Sequence, residues 1–530
     1  MTQTKLIDIK KKDNNVKIKA EELAKELRSV SVSEFFEKNR HLLGYDNLTK
    51  ALLTVIKEAV DNSIDACEEA NIPADINVKI EKLKTNKFKV IVEDNGPGIV
   101  KEHIPAVFAS LLYGSKFHRL RQSRGIQGIG ISSAVLYAQL TTGKSTKIVS
   151  KISPKRPAHF YALHINTLKN EPEIVSEKEV SWKKDHGTKV ELELEANYQK
   201  GSRSVDQYLK QAAIVNPHVK ITYTNPENKK FIFPRTTKDL PVEPKEIKPH
   251  PYGIELGVLI RMLKMSKHKK LKSFLTKEFS RVSPKIAEEI LKLAQLDPTT
   301  ISSEVSRDEA EKLLNAIKDT KIRNPPLDCL SPIGSDLLKK SLRKEMDVDF
   351  CEAITRPPSV YRGFPFLVEA AICYGGELEQ EKSVKLQRFA NKVPLLYQQA
   401  ACATTKAISG TKWNSYGLSQ SRGSLPVGPA LIVVHIASVW VPFTSESKEA
   451  IAPYPEIEKE IRLALQECGR KLGSFIRKKK KAVQEEQKKE YITTFLPHIM
   501  IGLKDILDLN ESKEKRIEKN LKEILEKSRK

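Results

Sequence analysis

Glu58-Ala-Val-Asp-Asn62-Ser-Ile-Asp65-Ala66 is the stretch on which the reading of this 530-residue chain turns. Glu58, Asn62 and Asp65 are spaced i, i+4 and i+7, and at roughly 100° per residue their side chains fall on one face of a helix. Leu52, Val55, Ile56, Ala59 and Val60 take the other side, which predicts an amphipathic helix from Thr49 to Ala70. Taken alone, three polar residues on one face are an ordinary solvated surface. The segments that follow change that reading.

Thirty-two residues after Asn62, a strand-like run ending at Val92 leads into Glu93-Asp94-Asn95-Gly96-Pro97-Gly98. Its glycines permit a tight turn and close approach of a ligand, and Asp94 offers a carboxylate at a strand end. Next comes Arg124-Gly125-Ile126-Gln127-Gly128-Ile129-Gly130, running into a helix at Ile131-Ser132-Ser133-Ala134. Glycine-rich backbone before a helix start presents N–H groups to phosphate. Two commoner phosphate motifs are excluded. Gly143-Lys144-Ser145 resembles the end of a P-loop, but Ala138 stands where its first glycine is required, and the segment follows a helix and precedes a strand, the reverse of the P-loop order. Gly125 to Gly130 lacks both the preceding strand and the G-x-G-x-x-G order of a dinucleotide fold.

Working outward, residues 1–30 form a polar, Lys-rich arm, and Ser31 with Glu34 predicts a helix start near Val32. Strands are expected at Ile76 to Leu83, Phe88 to Val92, Lys147 to Ile152, His159 to Ile165 and Thr188 to Leu194, and helices at Ile104 to Tyr113 and Ile131 to Leu140. Clustered strands of this kind predict an α/β sandwich over 31–230, not a doubly wound sheet. Five prolines between Pro234 and Pro251 mark a domain edge. The next unit, 231–325, is helical and basic, with nine Lys or Arg against Glu278 alone between Arg261 and Lys285, and with Ser283-Pro284 as an N-cap and first-turn pair. Strands at Phe366 to Cys373 and Ala430 to Trp440 with intervening helices predict a third, α/β unit over 326–475. Its last helix carries Ile457, Ile461, Ala464, Cys468, Leu472 and Phe475 as one apolar stripe. Residues 476–530 read as a charged tail, disordered in part or ordered by a partner.

With 39% hydrophobic and 30% charged residues, the chain has apolar material for several cores and too much charge for a membrane protein. Its longest apolar run, Leu431 to Phe443, is shorter than the ~20 residues of a spanning helix, contains His435, and reads as a buried strand. No export signal is read, and the six scattered cysteines suit a reducing cytoplasm. The net charge of +24, from 91 Lys plus Arg against 67 Asp plus Glu, either attracts nucleic acid or maintains solubility.

The ordered set Glu58/Asn62/Asp65, Asp94-x-Gly96-x-Gly98, Gly125-x-x-Gly128-x-Gly130 and Gly187-Thr188 resembles the GHKL-type (Bergerat) ATP-binding fold shared by gyrase, MutL, heat-shock chaperones and histidine kinases. The resemblance implies ATP and Mg²⁺ as cofactors. Glu58 would be the general base for the attacking water, Asn62 the magnesium ligand, and Asp94 the acceptor for the adenine amino group. Asp65 has two open roles, one supporting the helix and one touching the nucleotide side directly. The lid, Gly125, Ile126, Gln127, Gly128, Ile129, Gly130, Ile131 and Ser132, would wrap the phosphates, with Ser115 and Lys116 closing from the other side and Thr188 as a further cofactor-binding residue.

Beyond the ATP site, Tyr113-Gly-Ser-Lys116, Arg121 to Gln139, Lys248-Pro-His-Pro-Tyr-Gly253 and Arg388-Phe-Ala-Asn-Lys-Val-Pro394 resemble the B-subunit family of type IIB topoisomerases, over about 31–475. That implies an α/β multidomain chain: ATPase domain, helix-two-turns-helix module, and a transducer with a long C-terminal helix. It also implies that Lys448, in Thr444-Ser-Glu-Ser-Lys448-Glu-Ala-Ile451, senses the γ-phosphate. The implied partners are double-stranded DNA, a second copy joined through the ATPase domain on ATP binding, and the tyrosine-bearing topoisomerase VI A-subunit in an A2B2 heterotetramer, in an archaeal-type cytoplasm. Lys200 and Arg203 are either DNA contacts or ordinary turn residues, and Glu345, Asp347 and Asp349 read as surface. A MutL-like or chaperone-like clamp without strand passage is the competing reading, which the basic helical insert disfavours as a chaperone. A histidine kinase would need a phospho-acceptor helix before the ATP domain, and an RNA binder would have no use for Glu58.

Overall fold

The computed structural model describes residues 23–24, 29–115, 119–125, 128–445, 447–507 and 510–527. Most of the N-terminal arm lies outside them.

The first unit opens with α1 (Val32–Lys38), whose N-cap Ser31 accepts a hydrogen bond from the Glu34 amide. The helix of the decisive stretch, α2 (Leu48–Glu69), starts where the Asn47 side chain accepts from Lys50 N at 2.8 Å, meeting one of the amides a helix start leaves without a partner. There follow β1 (Asp75–Lys84), β2 (Lys87–Glu93), the short α3 (Ile104–Ala109), α4 (Gly130–Thr142), β3 (Thr146–Lys151), β4 (Ala158–Asn166), β5 (Glu171–Val180), β6 (Gly187–Glu195), α5 (Val205–Val215), β7 (Lys220–Thr224) and β8 (Lys230–Phe233). The strands make one eight-stranded sheet in the order β5-β4-β3-β6-β2-β1-β7-β8, antiparallel except where β1 meets β7. Alternation along the strands buries Ile76, Val78 and Ile80, Phe88, Val90 and Val92, and Val190, Leu192 and Leu194 in the same core as α2 and α4. The result is the α/β sandwich expected of a Bergerat-type fold.

Two sequence expectations change here. The helix expected from Ile104 to Tyr113 stops at Ala109, because Asn170 from the β4–β5 turn takes over the backbone of Leu111: its Oδ1 accepts from Leu111 N and its Nδ2 donates to Leu111 O, both at 2.9 Å. The strands β5, β7 and β8 are additions to those expected, and β5 leaves the least pattern in the sequence. It is an edge strand of mostly exposed, charged residues with no buried face to read.

A four-helix unit follows: α6 (Leu256–Met265), α7 (Leu271–Glu278), α8 (Pro284–Ala294) and α9 (Arg307–Asp319), around a core that includes Leu259, Phe274, Ile290 and Leu313. Ser283 caps α8 with Pro284 in its first turn. The last unit contains α10 (Ser335–Glu345), β9 (Phe350–Thr355), β10 (Ser359–Tyr361), β11 (Phe364–Tyr374), β12 (Lys385–Ala390), β13 (Val393–Pro394), α11 (Ala403–Ser409), β14 (Ala430–Ser438), α12 (Pro455–Leu507) and α13 (Glu511–Lys527). Its sheet runs β10-β11-β14-β12-β13, with β9 on β11. The polar residue in the apolar run has its partners. His435 Nε2 accepts from Lys392 N at 2.9 Å, so its Nδ1–H donates to Glu369 Oε2 at 2.8 Å, on the directly opposed residue of β11.

The apolar stripe of α12 packs on this sheet through Ile457, Ile461, Ala464, Cys468 and Leu472, and Phe475 stacks on Phe350 at 5.0 Å. The helix does not give way to a separate tail at 476. Lys and Glu are good helix formers, and after Gly473 no glycine or proline intervenes before Pro497, so it continues to Leu507. The ends of the first and third units share a core, where Ile214 and Val215 of α5 meet Leu338, Leu342 and Phe389. Among the described residues no helix is long and apolar enough to cross a membrane. Of the acidic trio, Glu345 ends α10 and Asp347 and Asp349 are exposed in the segment after it, with Asp349 paired to Lys479 of α12 at 2.6 Å.

Candidate nucleotide site

A cavity of about 330 Å³ opens between α2, the lid and the loop that carries Lys448. Clefts of this size hold small cofactors. Glu58 and Asn62 reach it one turn apart on α2.

Asp94 forms its floor. Oδ1 accepts from Gly96 N at 2.9 Å and Thr188 N at 3.0 Å, and Oδ2 accepts from Ser63 Oγ at 2.8 Å, which leaves acceptor capacity on Oδ2 for a ligand donor. Burial pushes the Asp94 carboxyl above its ordinary range, against these three donors. Gly187, at φ +135°, lets β6 pass beside Asp94; a β-carbon there would collide with the Asp94 carbonyl.

Above the floor, α4 begins with no side-chain cap, so first-turn amides are left for an anion. The Glu58 carboxylate lies against this helix start, where a β-carbon on Gly130 would strike Oε2. Burial alone would raise the Glu58 carboxyl, but the ammoniums of Lys57, 3.1 Å from Oε1, and Lys448 hold it below the usual range. Lys448 sits in the left-handed region at φ +53° and donates from Nζ to Arg124 O at 3.1 Å. Burial pulls its ammonium down while Glu58 pulls it up.

Of the residues expected from sequence, Glu58, Asn62, Asp94, Gly98, Ser115, Gly125, Gly128, Ile129, Gly130, Ile131, Thr188 and Lys448 line this one cavity. Lys116, Ile126 and Gln127 lie outside the described residues. Three expected ligands are placed elsewhere. Asp65 accepts from Arg124 Nη1 at 2.7 Å, away from the cavity, because three further residues along α2 bring it round to the lid's base, so the geometry gives it the supporting role. Gly96 spends its amide on Asp94. Ser132 is buried with its hydroxyl on Ile129 O, and Ser133 lines the wall in its place.

Sequence reasoning missed Lys50, Thr54 and Lys57 on α2, and Leu395 to Tyr397 and Glu449 from the third unit. Extending the four-residue step backwards from Glu58 would have reached Thr54 and Lys50. Lys50 pairs with both Asp46, at 2.8 Å, and Glu449, joining the two units at the cavity rim.

Comparison with known proteins agrees with this geometry. A family model described as histidine kinase-, DNA gyrase B- and HSP90-like ATPase matches residues 50–197, and one described as the topoisomerase VI B-subunit transducer matches 325–489. The type 2 DNA topoisomerase 6 B-subunit of Methanococcoides burtonii is 53% identical over 490 residues, covering 92% of this chain and 79% of its own. That of Archaeoglobus fulgidus is 52% identical over 482 residues, covering 91% and 80%.

This chain belongs to the topoisomerase VI B-subunit family.

Divergent members match over the same extent: the Natronomonas pharaonis protein is 35% identical, covering 92% of this chain and 84% of its own. Among solved structures, the B-subunit of DNA gyrase from Myxococcus xanthus aligns with a TM-score of 0.41 and 11% identity, covering 84% of this chain and 96% of that one. The family's transducer segment takes in Lys448, Leu395 and the first part of α12, so the cavity is walled by both matched regions.

Proposed function

We propose that the chain is the ATP-hydrolysing component of a type IIB DNA topoisomerase, in which Glu58 is the general base and Lys448 the contact that reports the γ-phosphate. One observation carries the reading: a base from the ATPase unit and an ammonium from the transducer share one cavity. Asp94 holds the adenine amino group through its remaining Oδ2 lone pair. The uncapped start of α4 and the lid glycines receive the phosphates. Glu58, kept ionised by Lys57 and Lys448, takes the proton of the attacking water.

The Asn62 amide has no hydrogen-bond partner among the described residues and faces the cavity, which suits a cation that takes one protein oxygen and keeps its waters. Asn62 would hold Mg²⁺, whose chemistry is to neutralise charge on the phosphates.

The basic helical unit and the +24 charge favour duplex DNA as partner. Two copies would close their ATPase units on ATP while the tyrosine-bearing topoisomerase VI A-subunit, held through α12 in an A2B2 assembly, cleaves and passes the duplex. A MutL-like clamp would have no use for such a cleaving partner. The test is Mg²⁺-dependent ATP hydrolysis with and without duplex DNA for wild type and Glu58→Gln. DNA-stimulated turnover that falls about 10²–10⁴-fold in the variant, with binding of a non-hydrolysable analogue retained, is expected; turnover indifferent to Glu58 would remove the assignment.

A further inference from the structure

Arg124 precedes the first lid glycine, and its side chain lies buried among acceptors of the ATPase unit. Its side chain is 4% exposed. Nη1 donates to Asp65 Oδ1 at 2.7 Å and to Glu68 Oε2 at 2.8 Å, and Nη2 donates to Glu68 Oε1 at 2.7 Å and to Asn216 Oδ1 at 2.5 Å. The two nitrogens therefore fork across Glu68, a geometry lysine cannot reproduce. His218 stands 2.8 Å behind Glu68 Oε1.

This is a buried ionic cluster, and such clusters are weak evidence for stability, since desolvating the charges offsets most of their attraction. What it does is fix position. The segment before Arg124 is held as well: Gln122 exchanges hydrogen bonds with Ser331 through Oε1, at 2.7 Å, and Nε2, at 3.1 Å, and Asn391 donates to Ser123 O at 3.0 Å. The carbonyl of Arg124 therefore stands at a determined point, and it accepts the Lys448 ammonium at 3.1 Å.

We propose that Arg124 is the positioning residue for Lys448: clamped by Asp65 and Glu68, it fixes the carbonyl on which the ammonium rests and so sets the ammonium's place opposite Glu58. The connection forms a closed circuit. Glu58, Asp65 and Glu68 lie on one rigid helix, with Asp65 about 10 Å along the axis from Glu58. From Asp65 and Glu68 it passes through the guanidinium to the Arg124 backbone, then to Lys448, and back across the cavity to Glu58. A single element thus carries the base and the anchor that aims the opposing cation. The inference rests on the reading of Lys448 as the γ-phosphate contact.

The experiment is steady-state ATP hydrolysis by the full chain assembled with its cleaving partner on duplex DNA, comparing wild type, Arg124→Lys, Glu68→Gln, Lys448→Ala and the Arg124→Lys/Lys448→Ala double variant. ADP affinity and thermal midpoint are measured for each. Arg124→Lys is expected to lower kcat roughly tenfold, as for loss of one aimed charge-assisted contact, with KM and ADP affinity within about twofold. Glu68→Gln, which unforks the clamp from the other side, should move kcat in the same direction. The double variant should turn over no more slowly than Lys448→Ala, since both changes act through one ammonium. A structural role would instead lower the thermal midpoint and multiply the two losses. Multiplied losses, unchanged kcat in both clamp variants, or loss of fold in both, overturns the positioning role while leaving Lys448 in place. Wild-type turnover in Lys448→Ala overturns the reading of Lys448 and the proposal with it.

Discussion

Replacing Lys57 by methionine should move the acidic limb of ATP hydrolysis to higher pH. The substitution keeps the length and apolar character of the stem and removes the charge, so packing in α2 is disturbed little. Lys57 Nζ stands 3.1 Å from Glu58 Oε1. At an effective dielectric of about 20, unit charges at that separation attract by about 5 kcal/mol, an upper bound of about four pKa units. Opposite charges at this range usually move a carboxyl by about 1–3 units, and Lys448 stays in place, so the expected rise is about 1–2 units.

The sign follows from the direction of the shift. Burial would raise the Glu58 carboxyl, and the two ammoniums bring it below its ordinary value. A base works deprotonated, so wild type keeps its activity as pH falls until the depressed value is reached, whereas Lys57→Met loses it sooner. The assay is kcat/KM for ATP between pH 5 and 9 in both proteins. Titration of the nucleotide's own phosphate is common to both and cancels in the comparison. An acid limb that stays put, or moves to lower pH, refutes the claim that Lys57 keeps Glu58 ionised.

Gly130→Ala places a β-carbon where Glu58 Oε2 now lies, so the carboxylate must swing aside; turnover should fall roughly 10–100-fold with analogue affinity unchanged, read as kcat against Kd. Asp94→Asn turns an acceptor into a donor facing Gly96 N and Thr188 N or Ser63 Oγ, and calorimetric titration of the analogue should show affinity weakened by roughly 10–100-fold; unaltered affinity would dismiss Asp94 as the base-recognising group. Asp61 is buried, which pushes its carboxyl up to about 6, and Tyr208 donates to it at 2.8 Å. Its contribution to stability is full below the unfolded value near 3.8 and is lost as pH rises through about 6, so Asp61→Asn should stabilise the fold at pH 7–8 by on the order of 1–3 kcal/mol and not at pH 4, by scanning calorimetry.

The nucleotide site was legible wherever function imposed a local pattern. The i, i+4 step from Glu58 to Asn62, the carboxylate at the end of β2 and the glycines before α4 each reflect a backbone or side-chain requirement confined to a few residues. Sequence reading failed where the deciding contact lay far along the chain. Asp65 has the same spacing credentials as Asn62, but its partner is Arg124, fifty-nine residues on. Ser132 and Ser133 are adjacent, and only the rotation of α4 against the sheet decides which faces the cavity. Asn170 ending α3 is a tertiary contact of the same kind, invisible in the helix's own sequence. The edge strand β5 carries no alternation because its residues are mostly exposed, and α12 outruns its apolar stripe because no glycine or proline stops its Lys/Glu-rich continuation between Gly473 and Pro497.

Binding and hydrolysis are distributed differently in this cavity. Every protein partner of the Asp94 carboxylate, namely Ser63, Gly96 and Thr188, belongs to the ATPase unit. The groups proposed for hydrolysis come from both units. Glu58 is half-buried, and Lys57 beside it and Lys448 from the transducer hold its carboxyl below the usual range, while burial pulls the Lys448 ammonium down against the pull of Glu58. The attraction between Lys448 and Glu58 is lost if the two units separate, while that between Lys57 and Glu58 stays. A transducer movement that withdraws Lys448 would leave Asp94 and its partners in place and remove one of the two ammoniums that hold the Glu58 carboxyl down, Lys57 staying beside it. The electrostatics of one shared pocket would thus link the transducer's position to the Glu58 carboxyl.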